Sequence, residues 1–332
     1  MGHVEKDYLD FEDEIEDIDG QILELKSLES RLGVRHSIDI WKLTRKRRGA
    51  LKALYLDLNA EQTTQVAQHK KRPVMQNYIS GIGRPRDPDY ISGIFDDWLE
   101  LRGDRRFEDD RALIGGFARI GKYRVVLLGH NKTRGRKEII SKEDRRLYEG
   151  RPNPGGFRKF LRLIKMAEKY GLPVVTLIDT PGVYVGVDAE ERGQASAIAD
   201  NLKYLPLIKV PIVSLIIGEG GASGALGVGV ANQLAMVGYS YYSNRSYEQC
   251  KKDGFSENLM IRAGDNLEMG TIEEIVLESV GGAHREPKKV LKNARTYFLK
   301  SLKHLCAMEP NKLINQRIEM IDKRAEHSVI IS

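Results

Sequence analysis

The chain has 332 residues, a net charge of +6 at pH 7, 41% hydrophobic and 30% charged residues, and 32 glycines. That is an ordinary globular balance, long enough for one large domain with an appendage, and no apolar run approaches the length of a membrane span. The acidic N-terminus lacks an apolar h-region, so no secretory signal is expected. The two cysteines, Cys250 and Cys306, make neither a disulfide framework nor a four-ligand zinc site, which points to a reducing compartment.

Phe11, Ile15, Ile18, Ile22, Leu25 and Leu32 fall on alternating four- and three-residue steps. They predict a helix with an apolar seam and an acidic outer face, interrupted at Gly20. The basic run Arg45-Lys46-Arg47-Arg48 opens a second helical stretch to about Leu58, and a run of this kind is more often a solvated face than a nucleic-acid site. A short tandem repeat follows: Arg72-Pro73 with Tyr78-Ile-Ser-Gly-Ile82, then Arg84-Pro85 with Tyr90-Ile-Ser-Gly-Ile94. It reads as a duplication that lengthens a linker, too short to be a solenoid unit. From Phe95 strand and helix alternate, which predicts an α/β core. The strands are Val125–Leu128, Val174–Ile178 and Ile212–Ile217. The helices are Phe157–Tyr170, ended by Gly171 and Pro173, and Ala189–Leu205. Thr133–Gly156 reads as a long polar loop with room for a helix, Leu259–Ile275 as a helix and a turn, and Lys288–Leu305 as a basic amphipathic helix. The last residues trail off in charge.

The chain is organised around Val210–Val230, where an apolar strand runs into Gly218, Gly220, Gly221 and Gly224 and then a helix of small residues. Such a turn leaves N–H groups unpaired at a helix N-terminus, which suits an anion. The earlier turn Asp179-Thr180-Pro181-Gly182 suggests a second wall of the same site. Gly116-Phe-Ala-Arg-Ile-Gly121-Lys122 imitates a phosphate-binding loop, but Tyr123 stands where a serine or threonine must ligate Mg²⁺, so a hairpin turn is expected. Gly221-Ala-Ser-Gly-Ala225 approaches a nucleophile elbow. A hydrolase reading needs a histidine to take the proton of Ser223, and none lies between residues 131 and 283. Acyl-CoA or carboxyl-transfer chemistry needs only backbone donors for a developing oxyanion, and so fits a glycine-dense site without a histidine or cysteine pair.

The sequence resembles the carboxyltransferase alpha subunits of multi-subunit acetyl-CoA carboxylase. The matching blocks cover most of the chain. They include Leu9-Asp10-Phe11-Glu12, Glu100-Leu-Arg-Gly-Asp-Arg105, Ile114-Gly-Gly116 and Gly129-His130 with Lys132 and Arg134. Phe157-Arg-Lys159, Ile178-Asp-Thr-Pro-Gly182, Ala189-Glu-Glu-Arg-Gly-Gln194, Ile217-Gly-Glu-Gly-Gly221 and Gly281-Gly-Ala-His-Arg285 follow in order. The resemblance implies an α/β crotonase-like fold (the ClpP/crotonase type), a spiral of ββα units behind a helical N-terminal region. The division would be residues 1–95, 96–310 and a charged tail, 311–332. It implies transfer of a carboxyl group from carboxybiotin on a carrier protein to acetyl-CoA, giving malonyl-CoA. The implied partners are a carboxyltransferase beta subunit in an α2β2 assembly, a biotin carboxyl carrier protein and a biotin carboxylase, with neither membrane nor nucleic acid. Zinc would sit only on beta; this chain would bind no metal and no covalent cofactor. The implied location is the cytoplasm or a plastid stroma. The backbone N–H groups of Ser223 and Gly224 would hold the biotin oxyanion. Gly182, Tyr184, Gly218, Gly220, Gly221 and Ala225 would line the pocket, and Lys132, Arg134 and Arg192 would contact acyl-CoA phosphate or the partner.

This sequence departs from the family pattern in several places. Ser223-Gly224 replaces the usual Gly-Gly, and Val185 replaces a usual proline. The segment after Gly135 is rewritten, and Ser243–Ser279 is shorter, without the usual small-residue helix after Ser246-Tyr-Glu-Gln-Cys250. A non-catalytic assembly subunit of the same fold is the alternative reading, and a serine hydrolase using Ser223 is a further one.

Overall fold

The computed structural model describes residues 8–76, 88–132, 150–245, 247–254 and 259–330. Helices α1 (Asp13–Leu32) and α2 (Ser37–Leu54) run antiparallel, since Ile15 packs with Leu51 and Tyr55, and Arg47 pairs with Asp19 at 2.6 Å. Acidic residues fill the first turn of α1, and Gly33 ends it in the left-handed conformation. Gly20 does not interrupt this helix; one glycine costs about 1 kcal/mol, less than the packed seam returns. The basic run lies inside α2 and does not open it. Helix α3 (Ala60–Gln68) was not expected, although Asn59 and Gln62 form the capping box that starts it.

The stretch expected to be a linker is docked into the core where it is described. Arg72 is 2% exposed and grips Glu278 through two 2.9 Å bonds, while Met75, Tyr90 and Ile94 are buried. Helix α4 (Tyr90–Ile94) starts on an Asp89 cap. The middle of the repeat, 77–87, lies outside the described residues.

The strands are β1 (Asp97–Glu100), β2 (Leu113–Ile120), β3 (Tyr123–His130), β4 (Val174–Thr180), β5 (Ile212–Gly221), β6 (Gln233–Val237), β7 (Tyr241–Ser243) and β8 (Glu274–Val276). They form one sheet in the order β1-β2-β3-β4-β5-β6-β8, with β7 on the far end of β5. β1, β2 and β3 pair antiparallel, and the rest pair parallel. Gly121 turns the β2–β3 hairpin with Ile120 opposite Tyr123, so the imitation phosphate loop is a hairpin.

Side chains alternate between the two faces of the sheet. Val213, Leu215 and Ile217 face one core, shared with α4 and with the helix Pro287–Leu305. Ile212 and Ile216 face the other, covered by α5 (Pro154–Lys169), α7 (Gln194–Tyr204) and α8 (Ala222–Gly229). The predicted helix Ala189–Leu205 is divided: α6 (Val187–Glu191) stops before Gly193, whose φ of 76° breaks the turn, and α7 follows. Short helices α9 (Tyr247–Lys252) and α10 (Ala263–Glu268) precede β8, which takes the place of part of the expected helix and turn over 259–275. Helix α11 (Pro287–Leu305) matches its expectation closely. The charged end does not trail off: α12 (Pro310–Ile330) is a helix, with Leu313 in the core and Arg317 fully buried.

Candidate active site

β5 is buried along its whole length and does not break at Gly218, as its sequence suggests, but runs on to Gly221. The extension is held on both sides. Thr180 of β4 opposes Gly220, and β7 pairs Glu219 with Tyr241, Gly220 with Tyr242 and Gly221 with Ser243. The reversal into α8 is made at one residue, Ala222, whose φ is 48°. Ser223 is outside the left-handed region, so the serine that replaces a usual glycine is unstrained and the strained position is its neighbour.

The second turn meets the first. Thr180 Oγ1 accepts the Gly182 N–H at 3.0 Å and fixes the Asp179–Gly182 turn. A Cβ at position 224 would stand 2.8 Å from the Gly182 carbonyl carbon, and one at 221 would stand 2.5 Å from Pro181. The two turns are therefore in backbone contact, and only glycine permits it at these points. Gly182, Gly218, Gly220, Gly221, Gly224 and Ala225 are buried around this contact, with Ser223 and Tyr184 partly open beside it.

The first-turn N–H groups of α8 have no partner within the helix. Ser223 and Ala222 line a cavity of about 490 Å³ with Leu226, Tyr242, Met260, Asn266 and Met269. Among the described residues, none hydrogen-bonds the Ser223 hydroxyl. The histidine beside the turn is His130, at the end of β3. It is fully buried against Asp179, Lys132 and the Gly224 backbone, and burial pushes its pKa down to about 3. Its neighbour on the turn is the Gly224 backbone and not the Ser223 hydroxyl, so it is not a base engaged on Ser223. Among the described residues, no three His, Cys, Asp or Glu side chains cluster as metal ligands.

Tyr184 donates its hydroxyl to Asp188 at 3.2 Å, and its peptide N–H is held by the Pro152 carbonyl. Lys132 points inward and pairs with Glu219, which is 1% exposed. Arg192 shares Asp188 with Tyr184. It stacks 4.0 Å from the Phe107 ring centroid and approaches Asp188 at 3.7 Å. Arg134 lies outside the described residues. In the sequence reading Glu219, His130 and Asp179 stood within matched blocks without a role of their own, and Tyr241 was passed over. A charged residue inside an apolar strand was the available signal for Glu219, and it was hidden by the glycines on either side.

The chain resembles solved structures in its fold. One is the 12S transcarboxylase hexamer with hydrolysed methylmalonyl-coenzyme A: TM-score 0.51, 15% identity, spanning 65% of this chain and 40% of that one. Another is a Pseudomonas malonate decarboxylase hetero-tetramer with coenzyme A: TM-score 0.52, 14% identity, spanning 68% and 90%. The fold is that of the crotonase-like carboxyltransferases. Among curated relatives, the acetyl-coenzyme A carboxylase carboxyl transferase subunit alpha of Chromohalobacter salexigens is 39% identical over 323 residues, covering 95% of this chain and 96% of the relative. That of Acidithiobacillus ferrooxidans is 40% identical over 323 residues, with coverage of 95% and 96%. The family described as acetyl co-enzyme A carboxylase carboxyltransferase-like matches residues 8–324, and the chain belongs to it. Carboxyl transfer is its reaction.

Proposed function

We propose that the chain is the alpha half of a carboxyltransferase that takes the carboxyl group of carboxybiotin, delivered by a carrier protein, to acetyl-CoA to form malonyl-CoA. The observation that carries this reading is the contact of two strand-end turns, Gly182 against Gly224, with unpaired N–H groups beside a cavity and no engaged base. Carboxybiotin supplies the carboxyl group and leaves as a ureido anion. The N–H groups of Ser223 and Gly224 donate to that developing charge, and preorganised donors are worth most once carrier and partner exclude water from the site. Gly182, Tyr184, Gly218, Gly220, Gly221 and Ala225 shape the wall. Val185 and Val187 beside Tyr184 are 81% and 76% exposed, which suits a face completed by a beta subunit, the assembly being α2β2. Zinc is assigned to beta, and biotin carboxylase and the carrier complete the system in the cytoplasm. In this reading residues 96–310 carry the chemistry, and residues 1–95 and 311–332 buttress it.

The test is malonyl-CoA-dependent carboxylation of biocytin by the chain with its beta subunit. Ser223→Ala keeps most of the rate. Gly224→Val keeps its N–H but drives a side chain into the Gly182 backbone, so it blocks the close approach of the two turns and should nearly abolish turnover, with assembly retained. A loss at Ser223→Ala as large as at Gly224→Val would return the serine-nucleophile reading. Assembly without turnover in the native pair would favour the non-catalytic subunit.

A further inference from the structure

Glu219 is a fully buried carboxylate inside a strand whose neighbours are Gly218, Gly220 and Gly221. An ionised group there is costly unless it is fully partnered. It is partnered from three separate parts of the chain. Gln68, at the end of α3, donates to its Oε1 at 2.8 Å, the Tyr241 hydroxyl of β7 donates to the same oxygen at 2.9 Å, and Lys132, after β3, pairs with Oε2. Its own peptide N–H is taken by Asp179 Oδ1 at 3.0 Å, where β4 slips register against β5. Two residues earlier, Arg72 Nε donates to the Ile217 carbonyl at 2.9 Å.

Glycine has no side chain with which to pin a strand. Between Ile217 and Ala222, Glu219 is the one residue whose side chain can add to the ladder bonds in fixing the backbone, and the turn carrying Ser223 and Gly224 begins three residues on. Oxyanion donors act through preorganisation, so whatever fixes this strand end fixes them. We infer that Glu219 is a positioning residue for carboxyl transfer, acting through the glycine backbone, and that Gln68, Lys132 and Tyr241 hold it in place. The N-terminal helical region thereby reaches the reaction centre through Gln68. The inference rests on the oxyanion reading of Ser223 and Gly224.

The test measures kcat and KM for malonyl-CoA with biocytin on the alpha–beta complex, alongside Tm and co-purification with beta. Glu219→Gln keeps the Oε1 acceptor but sets an amide against the Lys132 ammonium. It should lower kcat on the order of 10²-fold, the scale of a misplacement of about 1 Å, with KM within twofold and assembly intact. Adding Lys132→Met removes the ammonium set against that amide and should recover at least about tenfold of that loss, a coupling that a general folding defect would not show. Gln68→Leu should lower kcat less, again without a change in KM. Wild-type kcat in Glu219→Gln would overturn the inference. So would a raised KM with kcat intact, or a double variant no better than the single. Should Glu219→Gln fail to assemble, wild-type kcat in Gln68→Leu overturns it equally. An inactive native pair would overturn the function and this inference together, whereas an active native pair matched by Glu219→Gln overturns this inference alone.

Discussion

Ala222 occupies a conformation that costs an L-residue about 1–2 kcal/mol and costs glycine almost nothing. Ala222→Gly should therefore be tolerated and should raise the unfolding free energy by up to about 1 kcal/mol, measured by urea denaturation. Ser223→Gly, at a position free of that strain, should show no such gain. Two histidines, His130 buried and His284 partly buried, set an acid limit. Burial holds His130 at about 3 and His284 at about 2, while an unfolded histidine titrates near 6.5. Below pH 6.5 the unfolded chain thus binds more protons than the folded one. Stability from these groups is complete above 6.5 and declines as the pH falls, by up to about 1.4 kcal/mol per pH unit for each histidine. His130→Gln should remove one proton's worth of that slope between pH 6.5 and 4. An unchanged slope in denaturation series would show that His130 charges within the fold.

Helix α12 is anchored by Arg317, whose guanidinium donates to the carbonyls of Pro206 and Val210 at 3.2 Å, to the Ile208 carbonyl and to Asn232 Oδ1. Arg317→Ala strands these acceptors away from water and should cost on the order of 3 kcal/mol, read as a fall in the urea midpoint. A change of under about 0.5 kcal/mol would show that the helix end is dispensable. A single arginine in a charged stretch gives no hint of this in the sequence, because three of its four acceptors are peptide carbonyls more than a hundred residues away and the fourth is the Asn232 side chain. The same limit explains the other misses. Periodicity and punctuation made α1, α5 and α11 legible, with β4 and the β2–β3 hairpin, since each is decided locally. The continuation of β5 to Gly221 is decided by β7, and the burial of Arg72 by Glu278, partners distant in the chain. The two glycine turns could be read as one site, but the group that steadies them, Glu219, could be recognised only with its donors in view.

At the scale of the molecule, the apolar surface beside the site is conspicuous, with Val185 at 81% exposed, Val187 at 76% and Leu226 at 45%. Val185→Asp should weaken association with beta at least about tenfold, the cost of burying an unpaired charge, and leave the Tm of the isolated chain unchanged. Sedimentation of the mixed subunits would measure it, and undiminished assembly would place the interface elsewhere. The basic runs have no reading motif beside them, and Arg47 is spent on Asp19. Nucleic-acid binding should accordingly be weak, without sequence preference and lost as salt rises, as a filter-binding titration would show.

The anchoring of Arg317 also has a consequence for biosynthesis. The carbonyls of Pro206, Ile208 and Val210 lead directly into β5, and their donor is made 107 residues after Val210. On a ribosome, the entrance to the central strand stays unsatisfied until that arginine has left the exit tunnel. A nascent chain therefore carries its glycine turn for some time before it can close the strand beneath it. A product cut short before residue 317 would expose an unfinished strand to proteases and chaperones rather than offer a competent surface to a partner.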